Sequence, residues 1–202
     1  MPSSYALLAT LLLAGPALAG EAAPPPKEET IERIVAVVDE RPLLLSDVRA
    51  LQAVRRLPET KARDAAIEER LMYLEASRLP QADVSRDEED RAVALLLSTR
   101  PELRGAVTEP DLRRLLRREL AAQKYIEFRF RPQVRVSDEE VRKAWEEEQA
   151  GSPKGPAFED EQAAVRARLE RRALDERIET WVASLRQRAE VRYVGAPPPA
   201  GP

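Results

Sequence analysis

No histidine and no cysteine occur among the 202 residues. That removes the commonest general base, the commonest zinc ligand and every thiol nucleophile. Neither a Ser-His triad nor a thiolate metal site can be assembled. Chemistry built on carboxylates alone stays open. The densest acids are Asp87-Glu88-Glu89-Asp90 and Glu146-Glu147-Glu148. The first reads as a solvated opening turn of a helix, where acids favour the positive end of the helix dipole. The second reads as a polar helix face running into a linker. The arginine pairs Arg113-Arg114 and Arg117-Arg118 form the strongest basic patch. They could touch anionic lipid or an acidic polypeptide, and are read as an exposed face balanced by nearby glutamates. These patterns lead to the expectation of no catalytic residue, no metal and no cofactor.

Composition narrows the class further. The net charge is −3 with both signs mixed along the chain, which argues against nucleic-acid binding, since that wants a basic face. With 34% charged and only 4% aromatic residues, exposed amphipathic helices around a lean core are expected. Without cysteine there is no disulfide, so stability must come from packing or a partner.

The N-terminus carries an address. Tyr5 to Ala14 is apolar apart from Thr10, and too short to span a bilayer. Pro16 and Ala17-Leu18-Ala19 follow as a small-x-small cleavage signature, so residues 1–19 read as a signal peptide cut after Ala19. No Lys or Arg precedes the apolar run, and an uncleaved anchor is the alternative. Residues 20–30, with Pro24-Pro25-Pro26, read as an extended linker.

The elements that would position any site follow from periodicity and caps. Ile34 to Val38 is an apolar, valine-rich strand; Asp39 to Pro42 is a turn-like break, and Pro42 to Leu45 a second strand. Ser46 stands where an N-cap stands, before a helix from about Asp47 to Leu57 that Pro58 ends. A second helix runs from about Lys61 to Leu79, with Ile67, Leu71 and Leu74 on one face. Ser85-Arg86-Asp87-Glu88 is a capping box opening a third helix with Val93, Leu96 and Leu97. Thr108 caps a long helix to about Phe128, carrying Leu112, Leu115, Leu116 and Leu120. Arg129 to Val136 reads as extended, and Ser137-Asp138-Glu139-Glu140 is another capping box before Val141, Ala144 and Trp145. Residues 148–157 hold two glycines and two prolines and form the clearest internal linker. The longest helix, Glu159 to Ala189, precedes a short strand, Glu190 to Val194. Residues 195–202 read as a disordered tail. A lone hairpin is marginal in water, so the last strand is expected to join it. The fold class is therefore mainly α with a small antiparallel sheet, over residues 31–194, in which the N-terminal hairpin pairs with the C-terminal strand.

In this order the elements resemble the SurA-type periplasmic chaperones. The hairpin with Ser46-Asp47-Val48 resembles the family's opening. Ala66 to Leu71 resembles its second helix, Val134 to Val141 its approach to the isomerase domain, and Trp181 to Val194 its closing helix and strand. SurA and the related PrsA-type foldases normally insert one or two parvulin domains between those last two landmarks. Here that place holds only residues 148–157, too few for such a domain. The resemblance therefore implies the chaperone part without isomerase activity. It implies an ATP-independent, periplasmic holding role toward unfolded outer-membrane or secreted proteins, with no stable membrane insertion once the signal is cleaved. A dedicated interaction subunit with one partner, a homodimer formed by exchange of the last helix, and a degenerate prolyl isomerase are the alternatives.

A holding chaperone needs an apolar concavity with a polar rim. Met72, Tyr73, Tyr125, Phe128, Phe130 and Trp145 are the candidate client-binding residues, with Tyr125, Phe128 and Phe130 foremost because they end a helix beside a change of backbone. Leu95, Leu96 and Leu116 are read as core, and so are Trp181 and Tyr193.

Overall fold

The computed structural model describes residues 32–149 and 157–195. The expected signal peptide and Pro-rich linker lie outside the described residues, as do 150–156 of the internal linker and 196–202 of the tail.

Two short strands, β1 (Ile34–Val38) and β2 (Arg41–Leu44), form an antiparallel hairpin. Its two-residue turn, Asp39-Glu40, has φ of +44° and +65°, the twist that a tight hairpin needs. Asp39 offsets that backbone cost by tying the turn down. Its N–H donates to the Glu190 carbonyl at 3.0 Å, and its carboxylate accepts from the Glu190 N–H at 2.9 Å. Directly after Glu190 comes β3 (Val191–Tyr193), which pairs antiparallel with β1, Ala36 opposite Tyr193 and Val38 opposite Val191. The strand order is β2-β1-β3, so the hairpin and the last strand form one sheet, as expected.

Among the described residues six α-helices follow the hairpin: α1 (Leu45–Arg55), α2 (Glu59–Ala76), α3 (Arg86–Thr99), α4 (Glu109–Arg129), α5 (Asp138–Gln149) and α6 (Phe158–Arg188). Three start as their caps dictate. The Ser85 and Ser137 hydroxyls accept from the N–H three residues on, and Glu88 and Glu140 return the bond to the serine N–H. The Thr108 hydroxyl accepts from the Asp111 N–H at 3.3 Å. The first helix departs from expectation. It begins at Leu45, and Ser46 is not its cap. Two carboxylates occupy that role: Asp47 accepts from the Leu44 N–H, and Glu32 accepts from the Ser46 N–H. A second departure lies at Arg129 to Val136, which is not extended throughout: Arg129 still belongs to α4. Pro132 instead sits in a 3₁₀ turn, Arg131–Gln133, a position that its fixed φ and missing N–H suit.

The main core gathers Val35, Ala36, Val38 and Leu43 of the sheet with Leu51, Ile67, Leu71, Leu115, Trp181 and Leu185 of four helices. Trp181 is buried as read from sequence, stacked on Tyr125 at 5.0 Å between ring centroids, and Phe130 completes the cluster at 5.3 Å from Trp181. The end of α6 thus lies against α2 and the sheet of its own chain. Its beginning pairs with α5 as a two-helix arm, with Val141 and Val165 fully buried and Trp145 edge-on to Phe158. Two residues read as core are not. Leu95 is 66% exposed because α3 buries only Val93 and Glu89, on its other side. Tyr193 is 37% exposed because β3 is an edge strand.

This arrangement sets a contrast between the two aromatic residues of the closing segment. Trp181→Ala is expected to cost about 3–5 kcal/mol of unfolding free energy in a urea titration, and Tyr193→Ala under about 1.5 kcal/mol. Equal costs would contradict the placement of the core.

Candidate functional site

Helix α4 carries the chain's densest chemistry on two adjoining faces. Its inward face runs Leu112, Leu115, Arg118, Ala122 at helical spacing, and all four are buried. Arg118 is therefore an arginine in an apolar row. On α2 the row Ala62, Ala66, Glu69, Ala76 holds a glutamate in the same way, and Glu69 is 1% exposed. The two misfits meet. Arg118 Nε donates to Glu69 Oε1 at 2.7 Å, and its Nη1 donates to Asp47 Oδ1 at 3.0 Å. Asp47 Oδ2 accepts from Arg70 Nη2 at 3.0 Å and from the Leu44 N–H at 3.2 Å. One buried cluster thus ties α1, α2, α4 and the end of β2 together.

Burial pushes the Glu69 carboxyl up to about 7, with Arg118 only partly opposing it. Burial also works against the Arg118 charge, but Glu69 and Asp47 outweigh it and hold the guanidinium above its ordinary range. Arg70 is drawn down by burial and by Arg118 beside it. The expectation that Arg117-Arg118 is a solvated pair is corrected here: Arg118 is core, while Arg113, Arg114 and Arg117 stay at least partly exposed. The acidic run is corrected too. Glu89 is buried and meets Arg117 at 3.0 Å, whereas Glu88 caps α3 and is held at about 2 by a hydrogen bond from Lys124, with Ser85 adding to it.

Above this cluster the surface is concave. A hollow of about 370 Å³ is lined by Arg41, Pro42, Leu44, Asp47, Arg70, Tyr73, Arg114, Arg117 and Arg118. It shares Tyr73 and Arg117 with a second hollow of about 350 Å³ that has Leu79, Pro80, Ala82, Val84 and Ala121 in its wall. A third, of about 540 Å³, is open and apolar, walled by Leu120, Phe128 and the stems of Gln81, Gln123, Lys124 and Glu127. The Lys124 ammonium, donating to the Asp83 carbonyl at 2.6 Å, stands between the last two.

Of the candidate client-binding residues, Phe128 is 52% exposed and lines the apolar hollow. Tyr73 lines both other hollows. Tyr125 and Phe130 turn inward onto Trp181, and Met72 packs against the main core. Trp145 lies in the α5–α6 arm against Phe158, away from the α4 surface. Leu96 is half-buried and Leu116 buried. Asp47, Glu69 and Arg70 were not singled out as site residues from sequence, and Arg118 was named only within an exposed basic patch, although a charge at an apolar row position was visible for both Glu69 and Arg118.

Among the described residues no group of three or more His, Cys, Asp or Glu is placed to hold a metal, and no helix is long and apolar enough to cross a membrane. Models of known protein families do not match the chain, and curated proteins give no match.

Removing one partner of a buried ion pair strands the other. Arg118→Leu is therefore expected to cost about 3–5 kcal/mol in urea denaturation at pH 7, and a loss under about 1 kcal/mol would leave the cluster without structural weight. The raised Glu69 carboxyl also sets a pH dependence. Its protonated form contributes stability that is fully present below about pH 4.5 and lost as pH rises through about 7. The wild-type urea midpoint is expected to fall between pH 5 and 8, and Glu69→Gln to flatten that slope; equal slopes would overturn the assignment.

Proposed function

We propose that this chain is an ATP-independent holding chaperone of the SurA type, acting in the periplasm on unfolded outer-membrane or secreted proteins and lacking an isomerase domain. The observation that carries this reading is the closure of the chain: β3 completes the sheet begun by the opening hairpin, in the element order of that family. Only residues 150–157 separate α5 from α6, the place where those chaperones carry a parvulin domain. What remains is a helical body that binds and releases, with no bond made or broken.

Exposed apolar side chains on a concave face are the means. The Leu120–Phe128 hollow offers an aromatic ring and aliphatic stems with Lys124 and Glu127 at its rim. Burying one aromatic side chain there stabilises a complex by about 1.5–3 kcal/mol, enough to delay aggregation and weak enough to release the client. A charged and polar rim keeps the free chaperone in solution.

Light scattering tests this directly. At stoichiometric excess the mature chain is expected to slow aggregation of an unfolded outer-membrane protein diluted from urea. Phe128→Ser is expected to lose at least half of that protection with unchanged far-UV circular dichroism. No protection by the wild-type chain would overturn the reading.

A further inference from the structure

The arginine-lined hollow has no part in the aromatic contact just described, yet its chemistry is specific. Five guanidinium groups line it, from Arg41, Arg70, Arg114, Arg117 and Arg118, and Asp47 is its one carboxylate. That carboxylate is already occupied on both oxygens by Arg118, Arg70 and the Leu44 N–H. Among the described residues Arg41 makes no ion pair. Arg70 Nε is buried and has no hydrogen-bond partner. Arg114 and Arg117 keep nearly half of their side-chain surface exposed while pairing on one side with Asp111 and Glu89. Arg41 and the exposed parts of Arg114 and Arg117 therefore present donors to an occupant, against one exposed acid, Asp83, which lines the neighbouring hollow 3.8 Å from Arg117. Guanidinium forks match a carboxylate in geometry as well as charge.

The remaining wall is apolar. Pro42, Leu44 and the Tyr73 ring line the same hollow, and across Tyr73 and Arg117 it opens into the neighbouring hollow with Leu79, Pro80, Val84 and Ala121. The strand beside it cannot bind by strand addition: Pro42 has no N–H, and the Leu44 N–H is spent on Asp47. Recognition must run through side chains and charge.

We infer that these joined hollows bind an extended polypeptide segment by its carboxylate, received by Arg41, Arg70 and Arg114, with the adjoining apolar side chain lying over Tyr73 toward Leu79 and Val84. This rests on the holding-chaperone reading and adds a charge requirement to it. The carboxylate can be a chain terminus or an acidic side chain.

Fluorescence anisotropy with the mature chain tests it. The probe is a labelled seven-residue peptide with two apolar residues near its C-terminal end, made in three forms: free carboxylate, amidated, and amidated with glutamate as its last residue. The free-carboxylate or the glutamate form is expected to bind about tenfold tighter than the neutral amide, and the ranking of those two names the source. The preference is expected to shrink as salt rises. The double variant Arg41→Gln, Arg114→Gln is expected to erase it with an unchanged thermal midpoint. Equal binding of all three forms by a chain that still slows aggregation would overturn the carboxylate site alone. A preference that survives the double variant would also overturn it. Displacement of the peptide by anionic phospholipid vesicles, lost in the double variant, would give the site to a membrane headgroup and overturn a polypeptide occupant. Absence of any peptide binding and of any aggregation protection would overturn both readings together.

Discussion

The clamp of Arg118 on Glu69 and Asp47 is the constraint on which the helical body depends. A guanidinium taken out of water costs several kcal/mol unless carboxylates meet it in good geometry. Here two do, at 2.7 and 3.0 Å, one from α2 and one from the first turn of α1. Because neither helix can shift without stranding a buried charge, α1, α2 and α4 are held in one register. The hollows on the far side of that cluster inherit their shape from it. Arg70 and Arg118 belong both to the clamp and to the wall of the basic hollow, so the stability of the body and the chemistry of its surface share side chains.

A second constraint acts on chain topology. The strand β1 has neighbours on both sides, one from its own hairpin and one from the chain's end more than 150 residues away. Asp39 makes the link with two hydrogen bonds to Glu190. Three strands succeed where a lone hairpin would be marginal, and they deliver the end of α6 to the core, where Trp181 stacks on Tyr125 and meets Phe130 at a tilt. The part of α6 nearer its start is left to pair with α5.

Much of this was legible from the sequence because its signals are local. Ser85, Thr108 and Ser137 announce three helix starts within three residues of themselves. The strand at Val191 was legible through strand counting as well as alternation. What was not legible depends on distant partners. Ser46 looked like a cap, but Glu32 and Asp47 fill that role, and Glu32 comes from fourteen residues upstream. The segment Arg129 to Val136 reads as extended, yet Pro132 lies inside a 3₁₀ turn and Phe130 is drawn to Trp181. Arg118 read as surface because a lone arginine would be intolerable inside; only its meeting with Glu69 across two helices makes both core. Of the candidate site, Phe128 and Tyr73 keep surface places, while Tyr125 and Phe130 are claimed by the core through one tryptophan.

The central claim is that an unfolded chain docks on the α4 surface. The direct measurement is site-specific photo-crosslinking, with the reactive side chain placed at position 128 and, separately, at position 172 on the exposed face of α6, where Arg172 is 78% exposed. With an unfolded outer-membrane protein as client, strong adducts from position 128 and weak ones from position 172 are expected. Equal yields from both positions, or none from 128, would contradict it.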